Sequence, residues 1–152
     1  MKREVELVLY DRCYFEKSRL WLEDDEINRL TDTGILPDEP TRLKWFESLP
    51  SKKDYLIWGV AFEGQPIGAC GLKHISDSKA EYWGYIGEKS LWGKGLGTSM
   101  LYNIEQKAKE LKIEELYLTV LEDNIRAIRM YRKNGFIEDS FSYGYFNMTK
   151  IL

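Results

Sequence analysis

The spacing of apolar residues predicts a strand followed by three short helices in the first third of this chain of 152 residues. Residues 4–10 alternate charged and apolar side chains and then become apolar, which is typical of a strand. The helices are predicted over residues 15–22, 26–30 and 42–49. We expect Thr41 to cap the third helix and Pro50 to end it, since both residue types favour these positions.

The middle of the chain predicts three consecutive strands. Residues 55–62 are aromatic and β-branched, and residues 63–66 read as a turn because they contain Gly and Pro. Residues 67–75 and 80–87 follow as two further strands, with a second polar turn between them. Such closely spaced strands favour antiparallel pairing.

The last third alternates helical and strand patterns. Apolar residues recur at helical spacing over residues 96–111, and residues 115–121 alternate as in a strand. Residues 124–133 form a second helical pattern, which Asn134 and Gly135 should end in a left-handed turn. One or two strands follow over residues 136–151.

These elements predict a single α/β domain spanning residues 1–152. Its central sheet should be mixed but mostly antiparallel, with six to seven strands flanked by helices. The hydrophobic content of 43% suits one core of this size.

Composition narrows the function classes. The formal net charge of −3 includes no basic excess, so we expect no nucleic-acid partner. The longest apolar run, residues 56–62, is too short to span a bilayer, and the N-terminus lacks the apolar segment of a signal peptide. Cys13 and Cys70 suggest neither a disulfide framework nor a metal site. We therefore expect a soluble protein of the cytoplasm that does not act at a membrane.

The densest chemical signal is the run of three alternating glycines at Gly93, Gly95 and Gly97, just before a predicted helix. Glycine lets the backbone approach a ligand closely, and a helix N-terminus offers unpaired N–H groups and partial positive charge. Together these features indicate a phosphate or pyrophosphate site. The spacing fits neither the Walker loop nor the dinucleotide fingerprint. A plain glycine-rich turn is the alternative.

A second signal lies at Asn124 and Tyr131. They are two helical turns apart and therefore share one face of the predicted helix. Taken singly, Asn124 reads as a helix cap and Tyr131 as a half-buried core aromatic.

In combination, the two segments resemble the GCN5-related N-acetyltransferase superfamily. Its acetyl-CoA motif, Arg/Gln-x-x-Gly-x-Gly/Ala, matches the glycines of residues 92–97, with Trp92 at the first position. Its Asn-x-x-Ala-x-x-x-Tyr-x-Lys-x-Gly-Phe pattern is matched at Asn124, Ala127, Tyr131, Lys133, Gly135 and Phe136. Trp-Gly-Lys-Gly resembles the branch that contains ribosomal-protein alanine, polyamine and amino-sugar acetyltransferases.

The resemblance implies acetyl-CoA as co-substrate, and it implies roles for individual residues. The pantetheine arm should pair with the backbone near Tyr85, Ile86 and Gly87. The pyrophosphate and its surroundings should contact Trp92, Gly93, Lys94, Gly95, Leu96, Gly97 and Thr98. Asn124 and Lys133 complete the predicted cofactor site.

The resemblance also implies direct attack by the amine, with no covalent enzyme intermediate. Tyr131 corresponds to the general acid of the family. Glu81 is the predicted base, although Tyr82 stands where related enzymes often carry an acidic residue, and a chain of water molecules is the alternative. His74 is interpreted as a surface residue rather than a base.

The acceptor is predicted to be a small primary amine, first of all a nucleotide-linked amino sugar. Three alternatives remain open: a protein N-terminal acetyltransferase of the ribosomal-protein alanine type, a polyamine acetyltransferase, and a non-catalytic acyl-CoA-binding module. We also expect that two chains could pair as a homodimer.

Overall fold

The computed structural model describes residues 3–152, which form one seven-stranded sheet with five α-helices. The strands are β1 (Glu6–Leu9), β2 (Leu56–Phe62), β3 (Gln65–Ser76), β4 (Lys79–Ile86), β5 (Glu115–Leu121), β6 (Ile137–Ser142) and β7 (Tyr145–Ile151). The helices are α1 (Arg12–Glu23), α2 (Asp25–Leu30), α3 (Glu39–Ser48), α4 (Leu96–Glu110) and α5 (Ile125–Lys133).

The strands lie in the order β1-β2-β3-β4-β5-β7-β6. Every neighbouring pair is antiparallel except β4 and β5, which are parallel and are joined through α4. The predicted mixed, mostly antiparallel sheet flanked by helices is therefore confirmed. The C-terminal segment supplies two strands, because Gly144, at a φ of +84°, turns the chain between β6 and β7.

The predicted cap of α3 is wrong. The side chain of Asp38, not Thr41, caps this helix, and it accepts a hydrogen bond of 2.9 Å from the Thr41 N–H. The helix thus begins before Thr41 and includes Pro40 in its first turn. Proline is tolerated there because the first turn needs no N–H donor.

The two faces of the sheet have different cores. On one face, α4 packs Leu96, Met100 and Ile104 into an aliphatic cluster. On the other face, α1 to α3 contribute an aromatic cluster that includes Phe15 and Trp21. Because side chains alternate along a strand, β1 to β4 supply residues to both clusters.

Strands β4 and β5 pair only at their beginnings. The paired residues are Lys79 with Glu115, Ala80 with Leu116, and Glu81 with Tyr117. Beyond Glu81 the two strands diverge, while β4 remains paired with β3 and β5 with β7. The sheet therefore contains a wedge-shaped opening at its centre.

Among residues 3–152, no helix combines the length and apolar character needed to cross a membrane.

Candidate functional site

The wedge between β4 and β5 opens into two cavities. The first, of about 750 Å³, is lined by the glycine-rich segment and the start of α4, and we call it the glycine-loop cavity. The second, of about 700 Å³, lies on the side of α1 to α3, and we call it the aromatic cavity. Both are lined by Gly84, Tyr85, Asn124, Ala127 and Tyr131. The cavities therefore meet where the strands diverge, and one molecule in each could make contact there.

The glycine-loop cavity presents backbone N–H groups. Gly93 and Gly95 have φ values of +76° and +83°, in the left-handed region that favours glycine. Gly95 is the residue that precedes α4, and its carbonyl accepts the first helical hydrogen bond from Ser99. Within residues 3–152, the N–H groups of residues 96–98 make no hydrogen bond. Three donors and the positive end of the helix dipole thus form a site for an anion.

The space above this loop is open. A Cβ atom placed on Gly97 would have its nearest neighbour at 3.7 Å, the Cε of Met130, so the packing of the protein does not require glycine here. A Cβ on Gly95 would meet nothing within 4 Å. The bare backbone therefore leaves room for a ligand that approaches the N–H groups closely.

Trp92 closes one side of this loop. Its Nε1 donates a hydrogen bond of 2.8 Å to the Ile86 carbonyl, which fixes the indole at the end of β4. The guanidinium carbon of Arg126, at the start of α5, lies 5.4 Å from the centre of the Trp92 ring. Arg126 also lines the cavity, although the sequence analysis did not single it out.

The unpaired edge of β4 supplies the wedge with peptide groups. The Gly87 N–H donates to the Ile67 carbonyl of β3 at 2.6 Å, so Gly87 faces the neighbouring strand. Since peptide groups alternate along a strand, those of Ile86 and Gly84 face the wedge. Gly84 must lack a side chain, because a Cβ there would lie 2.6 Å from Tyr82 Oη and 3.0 Å from Met100 Cε.

Tyr131 is positioned by the end of α5. The Phe136 N–H donates to the Tyr131 carbonyl at 3.0 Å, and the Gly135 N–H donates to the Arg132 carbonyl at 3.1 Å. With Gly135 at a φ of +98°, this is the Schellman arrangement. It holds the rings of Tyr131 and Phe136 with their centres 5.6 Å apart. The prediction of a left-handed helix end at Gly135 is confirmed.

The Tyr131 side chain combines burial with access to both cavities. The residue is 8% exposed, and its ring meets that of Tyr82 edge to face. Its hydroxyl makes no hydrogen bond to any of residues 3–152. Burial raises the pKa of Tyr131 above the ordinary tyrosine value. The hydroxyl is therefore protonated at neutral pH and is a potential donor to a ligand.

Glu81 lines the aromatic cavity and is not a free carboxylate. Its Oε1 lies 2.9 Å from His74 Nδ1, and its Oε2 lies 3.8 Å from Lys73 Nζ. The Glu81 side chain is 15% exposed, whereas that of His74 is 64% exposed. Tyr82, the next residue, is buried in the aliphatic cluster. Glu81 and Trp83 therefore share one face of β4, whereas Tyr82 faces the other core and also reaches the lining of the aromatic cavity.

Asn124 precedes α5 but does not cap it through its side chain. The residue is partly buried and lines both cavities. Asn124 thus takes the N-cap position, as the alternative interpretation held, but its side chain makes no capping hydrogen bond and its amide can contact a ligand.

Most of the residues predicted to bind the cofactor line the glycine-loop cavity. They are Tyr85, Ile86, Trp92, Gly93, Gly95, Leu96, Gly97, Thr98 and Asn124. Gly87, Lys94 and Lys133 do not line it. Gly87 is buried and bonded to β3, while Lys94 and Lys133 are exposed.

The aromatic cavity has a wall of stacked rings. The Tyr55 and Trp83 rings are 6.2 Å apart and the Trp83 and Tyr85 rings 6.5 Å apart, with interplanar angles of 27° and 26°. Trp45 meets Tyr55 edge to face. The Nε1 of Trp83 is buried and has no hydrogen-bond partner in the described part of the chain. This wall offers flat apolar surface together with one unused donor.

The fold, the glycine loop and the tyrosine at the strand divergence agree with an acyl-CoA-dependent transferase. The sequence profile of the acetyltransferase (GNAT) family matches residues 15–136. The chain belongs to this family. The predicted superfamily is thus confirmed, and its members are acetyltransferases.

A curated relative matches only part of this chain. The chain is 49% identical over 86 residues to a spermine/spermidine N(1)-acetyltransferase of Bacillus subtilis (strain 168). The match covers 51% of this chain and 57% of that protein, so the chain spans little more than half of its length.

Solved structures share the fold at low sequence identity. A spermidine N-acetyltransferase from Vibrio cholerae, in complex with CoA and spermine, has a TM-score of 0.88 at 17% identity, covering 97% of this chain and 95% of that one. The Campylobacter jejuni N-acetyltransferase PseH, in complex with acetyl coenzyme A, has a TM-score of 0.76 at 18% identity, covering 97% and 98%. These likenesses confirm the predicted fold.

Proposed function

We propose that this chain transfers the acetyl group of acetyl-CoA to a primary amine of a small acceptor. The observation that carries the proposal is the meeting of two cavities at Gly84 and Tyr131, where β4 and β5 diverge. One cavity is built for an anion and the other is aromatic and partly closed. A group could therefore pass between two molecules without leaving the protein.

The glycine-loop cavity would hold acetyl-CoA. The N–H groups of residues 96–98 would bind its pyrophosphate, and the peptide groups of Gly84 and Ile86 would bind the pantetheine arm along the open edge of β4. Acetyl-CoA supplies the acetyl group as a thioester, which a neutral amine can attack directly.

Backbone and side chain would share the catalytic work. A β4 N–H at the junction, that of Gly84, would stabilise negative charge on the carbonyl oxygen as the amine adds. Tyr131 would donate its proton to the departing thiolate. Its raised pKa keeps this proton in place at neutral pH.

The proton released by the amine needs an acceptor. We assign this role to Glu81, acting directly or through water, because its carboxylate lines the aromatic cavity. Its carboxylate already contacts His74 and Lys73, and a direct approach to the amine would disturb these contacts. We therefore expect its contribution to be modest.

We infer that a nucleotide-linked amino sugar is the first acceptor class to test. The stack of Tyr55, Trp83 and Tyr85 offers flat faces for a sugar ring or a base. Arg42 also lines this cavity, but its guanidinium is paired with Glu39 and would have to leave it to face the phosphates.

A polyamine is the second acceptor class. Asp32 and Glu81 place two carboxylates in the lining of the aromatic cavity, which suits a molecule with several positive charges. The name of the Bacillus subtilis relative points the same way.

An acceptor panel tests the proposal. Purified protein would be given acetyl-CoA with a nucleotide-linked amino sugar, spermidine, spermine, or a peptide with an N-terminal alanine. Free thiol and the mass of the acetylated amine would both be measured. We expect amine-dependent thiol release and an acetylated small amine. A much faster reaction of the peptide would favour the protein N-terminal alternative. Binding of CoA without turnover of any amine would favour the non-catalytic module.

A further inference from the structure

Three cationic side chains line the glycine-loop cavity, and two of them are already paired. The Nζ of Lys89 lies 3.0 Å from Asp24 Oδ2. The Nη1 of Arg29 lies 2.6 Å from Asp123 Oδ2. Both pairs join neighbouring elements, so these cations would have to leave a carboxylate before binding another anion.

Arg126 differs from these two cations. Among residues 3–152 it forms no ion pair with a carboxylate. Its guanidinium lies over the Trp92 ring instead, 5.4 Å from its centre. The hydrogen bond from Trp92 Nε1 to the Ile86 carbonyl holds that ring in place. The guanidinium of Arg126 is therefore held beside Trp92, the residue before Gly93.

We propose that Arg126, held by Trp92, binds the pyrophosphate of acetyl-CoA and sets its affinity. This inference rests on the proposed function. The N–H groups of residues 96–98 carry only partial charges, whereas a pyrophosphate carries full negative charges. A guanidinium can form two parallel hydrogen bonds to phosphate oxygens, and stacking on an aromatic ring limits the freedom that it loses on binding.

Neither lysine of the matched motifs supplies a positive charge to the glycine-loop cavity. Lys94 lies within the glycine loop and Lys133 at the end of α5, but, unlike Arg126, neither of them lines the cavity. Arg126 lies in the first turn of α5, so a second helix N-terminus adds positive potential at the same place.

Titration calorimetry with acetyl-CoA tests the assignment. For Arg126→Ala we expect about 10-fold weaker binding, as for the loss of a partly exposed charged hydrogen bond. Arg129→Ala is the matched control, because Arg129 is an exposed arginine of the same helix that does not line the cavity. Its affinity should stay within about 2-fold of the wild type, the change expected at a surface site. If the two variants lost the same amount of acetyl-CoA affinity, the effect would come from the overall charge of the protein. That result would overturn the proposal.

The role of Trp92 is tested by a double-mutant cycle. Trp92→Leu should weaken binding, and the further loss on adding Arg126→Ala should be smaller than in the wild type, because the arginine has already lost its platform. Additive losses would show that Trp92 does not act through Arg126. Arg126→Lys, which keeps the charge but not the planar fork, should lie between wild type and Arg126→Ala.

Dephospho-CoA identifies the phosphate concerned. The loss caused by Arg126→Ala should be the same for CoA and dephospho-CoA, since both contain the pyrophosphate. A loss seen only with CoA would assign Arg126 to the 3′-phosphate and overturn this inference. If the folded wild-type protein bound neither molecule, the proposed function itself would fail, which is distinct from a wild type that binds and an Arg126 variant that binds equally well.

Discussion

The two cavities of this protein are built in different ways. The glycine-loop cavity presents mainly backbone, with N–H groups at the start of α4 and the open edge of β4. The aromatic cavity presents side chains, with Tyr55 just before β2, Trp83 from β4 and Trp45 from α3. Backbone groups suit the proposed co-substrate, acetyl-CoA, which is the same in every reaction. Side chains can be exchanged by mutation and so can suit different acceptors. The difference therefore predicts that mutations will separate cofactor binding from acceptor choice.

The largest effect should come from the residue shared by both cavities. Tyr131→Phe removes one hydroxyl and keeps the ring, so kcat should fall about 100-fold, toward the low end for general acid catalysis because thiolate leaves readily. The Kd for acetyl-CoA should change little. Tyr102→Phe, at an exposed position of α4, is the control. Unchanged kcat under conditions where chemistry limits the rate would make Tyr131 a packing residue.

The pH dependence of the same step sharpens this prediction. Because burial raises the pKa of Tyr131, the acid stays protonated to higher pH than an ordinary tyrosine. The alkaline fall of kcat should therefore lie above about pH 10, the usual tyrosine value. A fall that begins near neutral pH and persists in Tyr131→Phe would assign the titration to another group.

The second largest effect should be confined to the cofactor side. Gly95→Val places a β-branched residue at a φ of +83°, which strains the start of α4 and its N–H groups. The loop should relax out of this conformation in the free protein, and binding would have to restore it. We therefore expect acetyl-CoA affinity to fall about 30-fold, which corresponds to the ~2 kcal/mol cost of a left-handed residue. Gly64→Val is the matched control, since Gly64 has a φ of +78° in a turn away from both cavities. If both variants fold and bind acetyl-CoA equally well, the phosphate site does not lie at this loop.

A smaller effect should be confined to the acceptor side. Trp83→Leu removes the middle ring of the stack, so the KM of the acceptor should rise about 10-fold, the upper end for one aromatic contact. The Kd for acetyl-CoA should stay the same. Trp58→Leu, in β2 and outside both cavities, controls for the loss of a tryptophan. If both constants changed together, the cavities would not be functionally separate.

The smallest effect should come from Glu81. Glu81→Gln should lower kcat/KM at neutral pH only about 3-fold, well below the usual range for a general base, because its carboxylate is already paired and water can take the proton. The steady-state rate with saturating acetyl-CoA measures this change. A fall as large as that of Tyr131→Phe would make Glu81 an essential base.

Local signals explain what the sequence could predict. The strand periods, the glycine loop and the Gly135 helix end each depend on neighbouring residues, and the structure confirms them. The cap of α3 was misjudged because Thr41 and Asp38 are both residue types that favour the cap position, and the helix begins at the earlier of the two because its first turn accepts Pro40.

Long-range placement explains what the sequence could not predict. Arg126 meets Trp92 only because α5 begins beside the glycine loop, and no spacing along the chain reveals that contact. Trp83 and Tyr55 stack across strands that are separated by β3. The stack therefore depends on strand order rather than on any motif.

A crystal structure with CoA and an acceptor amine would test the central claim most directly. The account predicts the pantetheine arm between β4 and β5, the pyrophosphate at residues 93–98, and the sulfur within hydrogen-bonding distance of the Tyr131 hydroxyl. It also predicts the amine in the aromatic cavity beside Trp83. Density for CoA outside the wedge, or an acceptor bound away from the junction of the two cavities, would contradict it.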